Sequence, residues 1–173
     1  MDTSQNKAKS YMKKINFDHN NIGGLAEIFA FPPSDLLRVR HDYRSGYDCV
    51  ELKTRDNIVA IPVYPDRSFV FDEQKSTADG GDYWQVSIEG VIPKLRHDVS
   101  VLIEVLERGE WLVLSQDHNG VVHLSGSVEV PLSFACEKTT GDSYTSLNGS
   151  SFTFSGSQPA PSVVVDLDDL INI

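Results

Sequence analysis

The C-terminal third of the chain is a series of short apolar runs separated by turn residues, and this limits the fold more than any other feature. Residues 111–116 and 121–126 flank Asp117-His118-Asn119-Gly120. Asn-Gly between two apolar runs signals a β-hairpin, because these residues accept the positive φ that a tight hairpin turn needs. Residues 128–134 continue the strand pattern despite Pro131, and a polar connection over 137–147 follows. A second Asn-Gly, Asn148-Gly149, leads into 151–156, where Phe152 and Phe154 fall on one face of a strand. Val163-Val164-Val165 reads as a last strand before the acidic stretch DLDDLINI, a charged tail.

The upstream part has the same character. Residues 1–14 are polar and aperiodic and read as a flexible arm; a strand-like pattern starts at Ile15. Residues 25–31 form an apolar, aromatic run that Pro32-Pro33 stops, and 36–40 form a shorter one. Residues 48–53 and 57–63 read as two strands joined by a turn at Arg55-Asp56, with Pro62 and Pro65 making the second an edge. Residues 72–82 lack any large apolar side chain and read as a long loop. In 83–90, Trp84, Val86 and Ile88 alternate with mostly polar neighbours. A helix is expected at about 95–107. Leu95, Val99, Leu102, Ile103 and Leu106 recur on one stripe, Pro93 precedes it, and Gly109 stands where a C-terminal glycine belongs. The expected fold is mainly β: a β-sandwich or partly rolled barrel with one flanking α-helix, forming a single domain over 15–173 behind the arm.

Charge narrows the function. Fifteen basic and 25 acidic side chains in 173 residues give a net charge of −10. A protein that grips nucleic acid needs a basic face to displace counterions, so that role is disfavoured. The charge is also polarised. Residues 1–16 hold four lysines and one aspartate, net +3, whereas 109–173 hold one lysine and eight acids, net −7. On charge alone such asymmetry reads first as a solvated tail and a solubilising surface, and second as a chain that contacts copies of itself. No apolar run reaches the ~18 residues of a membrane helix, and the first residues lack the apolar core of a signal peptide. Cys49 and Cys136 have no metal-type spacing and read as two buried thiols in a reducing compartment.

Candidate chemistry is sparse. His41 and Asp42, His97 and Asp98, and Asp117 and His118 are adjacent pairs that point apart on a strand and make no relay. His118 and His123 straddle a hairpin, but two ligands without a third are weak metal evidence. No G-x-S-x-G, G-x-G-x-x-G or Walker sequence occurs, and Gly80-Gly81 opens no helix. Asp166, Asp168 and Asp169 lack the glycine and closing glutamate of a calcium loop. Trp84 and Trp111 read as core. No catalytic, cofactor-binding or metal residue is expected, and the chain is not expected to be an enzyme.

WLVLSQDHNGVVHLSGSVEVPLSF, then a polar connection, then LNGSSFTFSGSQPAPSVVV resembles the C-terminal half of tail-tube proteins from phages and prophages of gut Bacteroidetes. The shared elements are the D-x-N-G hairpin at Asp117–Gly120, the strand end Leu124-Ser125-Gly126, and Asn148-Gly149 with Phe152-Thr153-Phe154-Ser155-Gly156. A proline link, Pro159-Ala160-Pro161, then leads to the final strand. The similarity covers about 83–165 and extends to 15–82 only in the order of elements.

The resemblance implies a virion structural protein that self-assembles into rings, commonly hexameric, stacked as a tail tube around the DNA path. Its partners would be copies of itself and neighbouring tail proteins, in the virion tail and, during assembly, the host cytoplasm. DNA would pass without specific binding, and no membrane is involved. Part of the acidity of 109–173 is then expected to line the channel, with Glu110, Glu129, Glu137 and Asp142 as candidates. The basic arm residues Lys7, Lys9, Lys13 and Lys14 would instead suit a head–tail connector that grips DNA. A connector, tail terminator or ring protein is the alternative within a virion. A soluble ligand-binding β-sandwich module is the alternative of another class, and its long loops carry only Tyr144 as an aromatic contact.

Overall fold

The computed structural model describes residues 21–41, 43, 46–143, 146 and 148–166. The arm expected over 1–14, the strand start at Ile15 and the tail 167–173 lie outside the described residues. The protein is mainly β: the described residues form eleven strands in one open sheet and a single α-helix.

β1 (Leu25–Phe31) ends where Pro32 removes a backbone donor, and one 3-10 turn, Pro33–Asp35, reverses the chain. β2 (Leu36–His41) and β3 (Asp48–Leu52) pair antiparallel. The turn expected at Arg55-Asp56 is present, with the Ile58 N–H donating to the Arg55 carbonyl. It does not close a hairpin: β4 (Val59–Ile61) pairs with β1 instead.

β5 (Phe69–Ala78) and β6 (Gly81–Pro93) pair in unbroken register from Phe69↔Gly90 to Ala78↔Gly81. The loop expected over 72–82 is therefore mostly strand. Its side chains are polar because this end of the hairpin runs beyond the core, where ladder hydrogen bonds hold the chain without apolar packing.

The helix α1 (His97–Glu107) is shorter than expected and buries Val99, Ile103 and Leu106, with Leu102 half-buried. Leu95 is exposed and off the stripe. It belongs to a corner after β6 that Asn148 ties down: the Lys94 N–H donates to the Asn148 carbonyl and the Leu95 N–H to its Oδ1. Gly109 does not adopt the left-handed conformation of a helix stop. Its missing side chain makes room for Trp111, whose ring would lie 2.8 Å from a Cβ there. The Trp111 Nε1–H then donates to the Leu106 carbonyl at 2.8 Å, satisfying a helix-end acceptor.

β7 (Glu110–Asp117), β8 (Val122–Ser125), β9 (Leu132–Thr139), β10 (Gly149–Gln158) and β11 (Val163–Asp166) complete the sheet. β9 starts later than the apolar run at 128 suggested and extends into the connection expected over 137–147. The strand order is β2-β3-β11-β8-β7-β9-β10-β6-β5, with β1 also on β7 and β4 on β1. β7 joins the two halves. Leu112–Asp117 pairs with β1, while Glu110 and Trp111 alone pair with Ser133 and Leu132 of β9.

The sheet turns at that junction, so its halves face each other across a core. Ile28, Ile61 and Val113 from one half meet Ile88, Phe152 and Phe154 from the other, and α1 adds its buried stripe. Burying each such side chain contributes about 1.5–3 kcal/mol. A second cluster, including Phe31, Val50, Leu112, Leu114 and Val165, covers the opposite face of β7. Cys49 and Cys136 lie on the non-adjacent strands β3 and β9 and form no disulfide; Cys49 is buried, and Cys136 is only half-buried.

Candidate functional site: an uncovered polar sheet face

Strand alternation gives the four-stranded half β9-β10-β6-β5 two unlike faces. The inward face presents Leu132, Phe134, Phe152, Phe154, Val86, Ile88 and Phe69. Register then fixes what points outward. Glu110, Ser133, Ser155, Ser87 and Asp72 form one row across five strands. Ala135, Thr153, Glu89 and Val70 form the next, and Glu137, Ser151 and Val91 a third. Ser157, Gln85 and Gln74 extend the face past the first row.

No described side chain buries this surface: Asp72, Glu89, Glu110 and Glu137 are all exposed. The ladder positions of this parity carry four carboxylates and no Lys or Arg. The two lysines of the four strands, Lys75 and Lys138, have the opposite parity. Lys75 pairs with Asp82 and lies over the Trp84 ring at 5.4 Å, so Trp84 packs half-buried against a cation.

The hydroxyls are tied into the sheet. Ser133 Oγ donates to the Ser155 carbonyl at 3.1 Å, and Ser87 Oγ donates to Glu89 Oε1 at 2.7 Å. The carboxylates are spread out. Asp72 and Glu89 sit diagonally on neighbouring strands, about 7–8 Å apart by sheet geometry. Glu110 and Asp72 are four strand spacings apart, about 19 Å. Such spacing makes a negative field over the surface and does not converge on one ion or reacting atom.

Two of the four anticipated acids, Glu110 and Glu137, therefore share this face. Glu129 lies before β9 and Asp142 after it, outside the ladder. Asp72 and Glu89 were missed. The signal for Glu89 was present in the alternation of 83–90; that for Asp72 was hidden by reading 72–82 as a loop. The lysines Lys7, Lys9, Lys13 and Lys14 lie outside the described residues.

Other polar groups make contacts within the fold. His41 Nδ1 meets Asp48 across the β2–β3 hairpin at 2.7 Å. His123 stacks on Phe71, with ring centroids 4.7 Å apart, and His118 lies beside Gly24. Among the described residues, no three His, Cys, Asp or Glu side chains are grouped to hold a metal.

Asp117 organises the β7–β8 turn: its Oδ1 accepts from the Asn119 and Val121 N–H groups at 2.8 and 2.9 Å. Partial burial pushes its carboxyl up, but these bonds and the Asn119 amide hold it below the ordinary carboxylate range. Asn119 reaches back to the chain before β1, accepting from the Ile22 N–H and donating to the Ile22 carbonyl.

The sequence matches no protein-family model, and searches of curated proteins and of solved structures find no match.

Proposed function

We propose that this chain is a virion structural protein that self-assembles into rings of a phage tail tube, with the β9-β10-β6-β5 face lining the channel. One observation carries the reading: this broad sheet face is uncovered and acidic, with no cation among its ladder positions. Duplex DNA carries a phosphate charge about every 1.7 Å of its axis. A wall of short Ser, Thr and Gln side chains with spaced carboxylates repels that backbone and offers it no counterion-releasing contact. DNA slides past such a wall.

Self-assembly has support of its own. β5 pairs along ten residues with β6 and with no other described strand. Its outer edge leaves backbone N–H and C=O groups directed away from the sheet, a template for another chain. The resemblance over 83–165 supplies the ring and the tube.

Size-exclusion chromatography with negative-stain electron microscopy tests the proposal. Rings or tubes are expected, and assembly strengthens as salt rises from low to moderate, because screening over about 8–10 Å relieves like charges crowded round the channel. The purified protein is expected to bind no duplex DNA at any salt. A monomer at high concentration overturns the assembly reading. Tight, salt-sensitive DNA binding overturns the channel reading.

A further inference from the structure

The sheet is also open at its far border, and that border is chemically unlike β5. β2 pairs only with β3 among the described strands, and five of its six residues are exposed. Leu37 is 56% exposed and Val39 39% exposed, apolar side chains on an edge that also carries two arginines and a register irregularity between Leu36 and Arg38. Arg38 and Arg40 both pair with a single carboxylate, Glu51, at 2.7 and 3.1 Å. Two cations on one anion leave a net positive charge on this edge.

The segment that follows β11 has the complementary pattern. Residues 167–173 read LDDLINI. In an extended chain Leu167, Asp169, Ile171 and Ile173 would share one face, and Asp168, Leu170 and Asn172 the other. An edge with Val39 on one side and Arg38 and Arg40 on the other can set Asp168 against the arginines with Ile171 and Ile173 on the side of Val39.

We propose that residues 167–173 of one copy add as a strand to β2 of a second copy. Strand addition of this kind draws affinity from main-chain hydrogen bonds and specificity from alternate side chains. The supply is from another copy for a geometric reason. Asp166 of β11 lies beside Cys49 of β3, which lies beside Arg40 of β2. To reach the outer side of β2 within one chain, the segment must cross three strand spacings, about 14 Å. That consumes about four residues at 3.3–3.6 Å each and takes Asp168 and Asp169 out of the pairing. From another copy the whole segment is available to pair, and Asp168 can meet the arginines. The proposal needs self-association but not a channel, so it goes beyond the tube reading.

A charge swap in the full-length chain tests it. D168K/D169K reverses the charge of the segment and alters no described residue. R38E/R40E reverses the edge, and its melting curve reports whether it folds. Each variant alone is expected to associate about tenfold or more weakly than the parent chain by analytical ultracentrifugation. An equimolar mixture restores association, because each tail then meets a β2 of opposite charge. If D168K/D169K associates like the parent chain, or if a mixture of two folded variants stays apart, the proposal fails. Electron microscopy separates this from the tube reading. Rings indifferent to the tail sink only the strand addition, tail-dependent oligomers without rings sink only the tube, and a monomeric parent chain sinks both.

Discussion

The two halves of the sheet treat their second face in opposite ways. In the β7 half, Trp111 and Val113 enter the core between the sheets while Leu112 and Leu114 enter a second cluster behind. In the β9-β10-β6-β5 half, Phe152 and Phe154 are buried while Thr153 and Ser155 between them face out. A strand covered on both sides reads as a continuous apolar run, and one covered on a single side alternates. The half that keeps a bare face is the half whose bare side chains are small, polar or acidic.

The largest expected effect strikes the shared core. Phe154 is fully buried among Phe134 and Phe152, with ring centroids 4.9 and 5.9 Å away. Phe154→Ala is expected to cost about 3–5 kcal/mol in chemical denaturation, because the rings around it cannot close the cavity. Thr153→Ala, one residue away on the bare face, should stay within about 0.5 kcal/mol. Equal losses would mean that the outer face is covered.

Leu112→Ala probes the second face of the other half and is expected to cost about 2–5 kcal/mol. A loss as small as that at Thr153 would erase the difference between the halves.

Gly90 is next. It lies between Phe69 and Phe152 in register, and a Cβ there would stand 2.3 Å from the Phe69 ring and 2.9 Å from that of Phe152. Gly90→Ala should lower stability by about 1–3 kcal/mol through overpacking, visible as a lower melting temperature. An unchanged melt would show that the aromatic stack yields freely.

The smallest effect lies at the β7–β8 turn. Asp117→Ala removes the acceptor of two backbone N–H groups and is expected to cost about 1 kcal/mol near neutral pH. The folded-state carboxyl is held below its unfolded value. Its contribution is therefore present above about pH 4 and is lost as pH falls through the folded pKa. The difference between parent and variant should shrink in acid; a constant difference would mean that the carboxylate charge is not what the turn uses.

Some of this was legible residue by residue. Asn119-Gly120 between apolar runs specified its hairpin, the spacing of Val99, Ile103 and Leu106 specified one helix, and Phe152 and Phe154 specified an inward face. These signals are local: each depends on backbone preference or side-chain period within a few residues.

What tertiary structure decided was non-local. Polar Asp72–Ala78 is strand because β6 supplies its hydrogen bonds, and hydropathy carries no record of a partner strand. Gly109 looked like a helix stop and instead makes room for Trp111. Glu110, Ser133, Ser155, Ser87 and Asp72 form one row only because five strands from distant parts of the chain pair in a single register. Sequence fixes which side of its own strand each residue takes, but only the pairing of strands brings those sides into one surface. A one-residue slip in any ladder would turn its side chains to the opposite face.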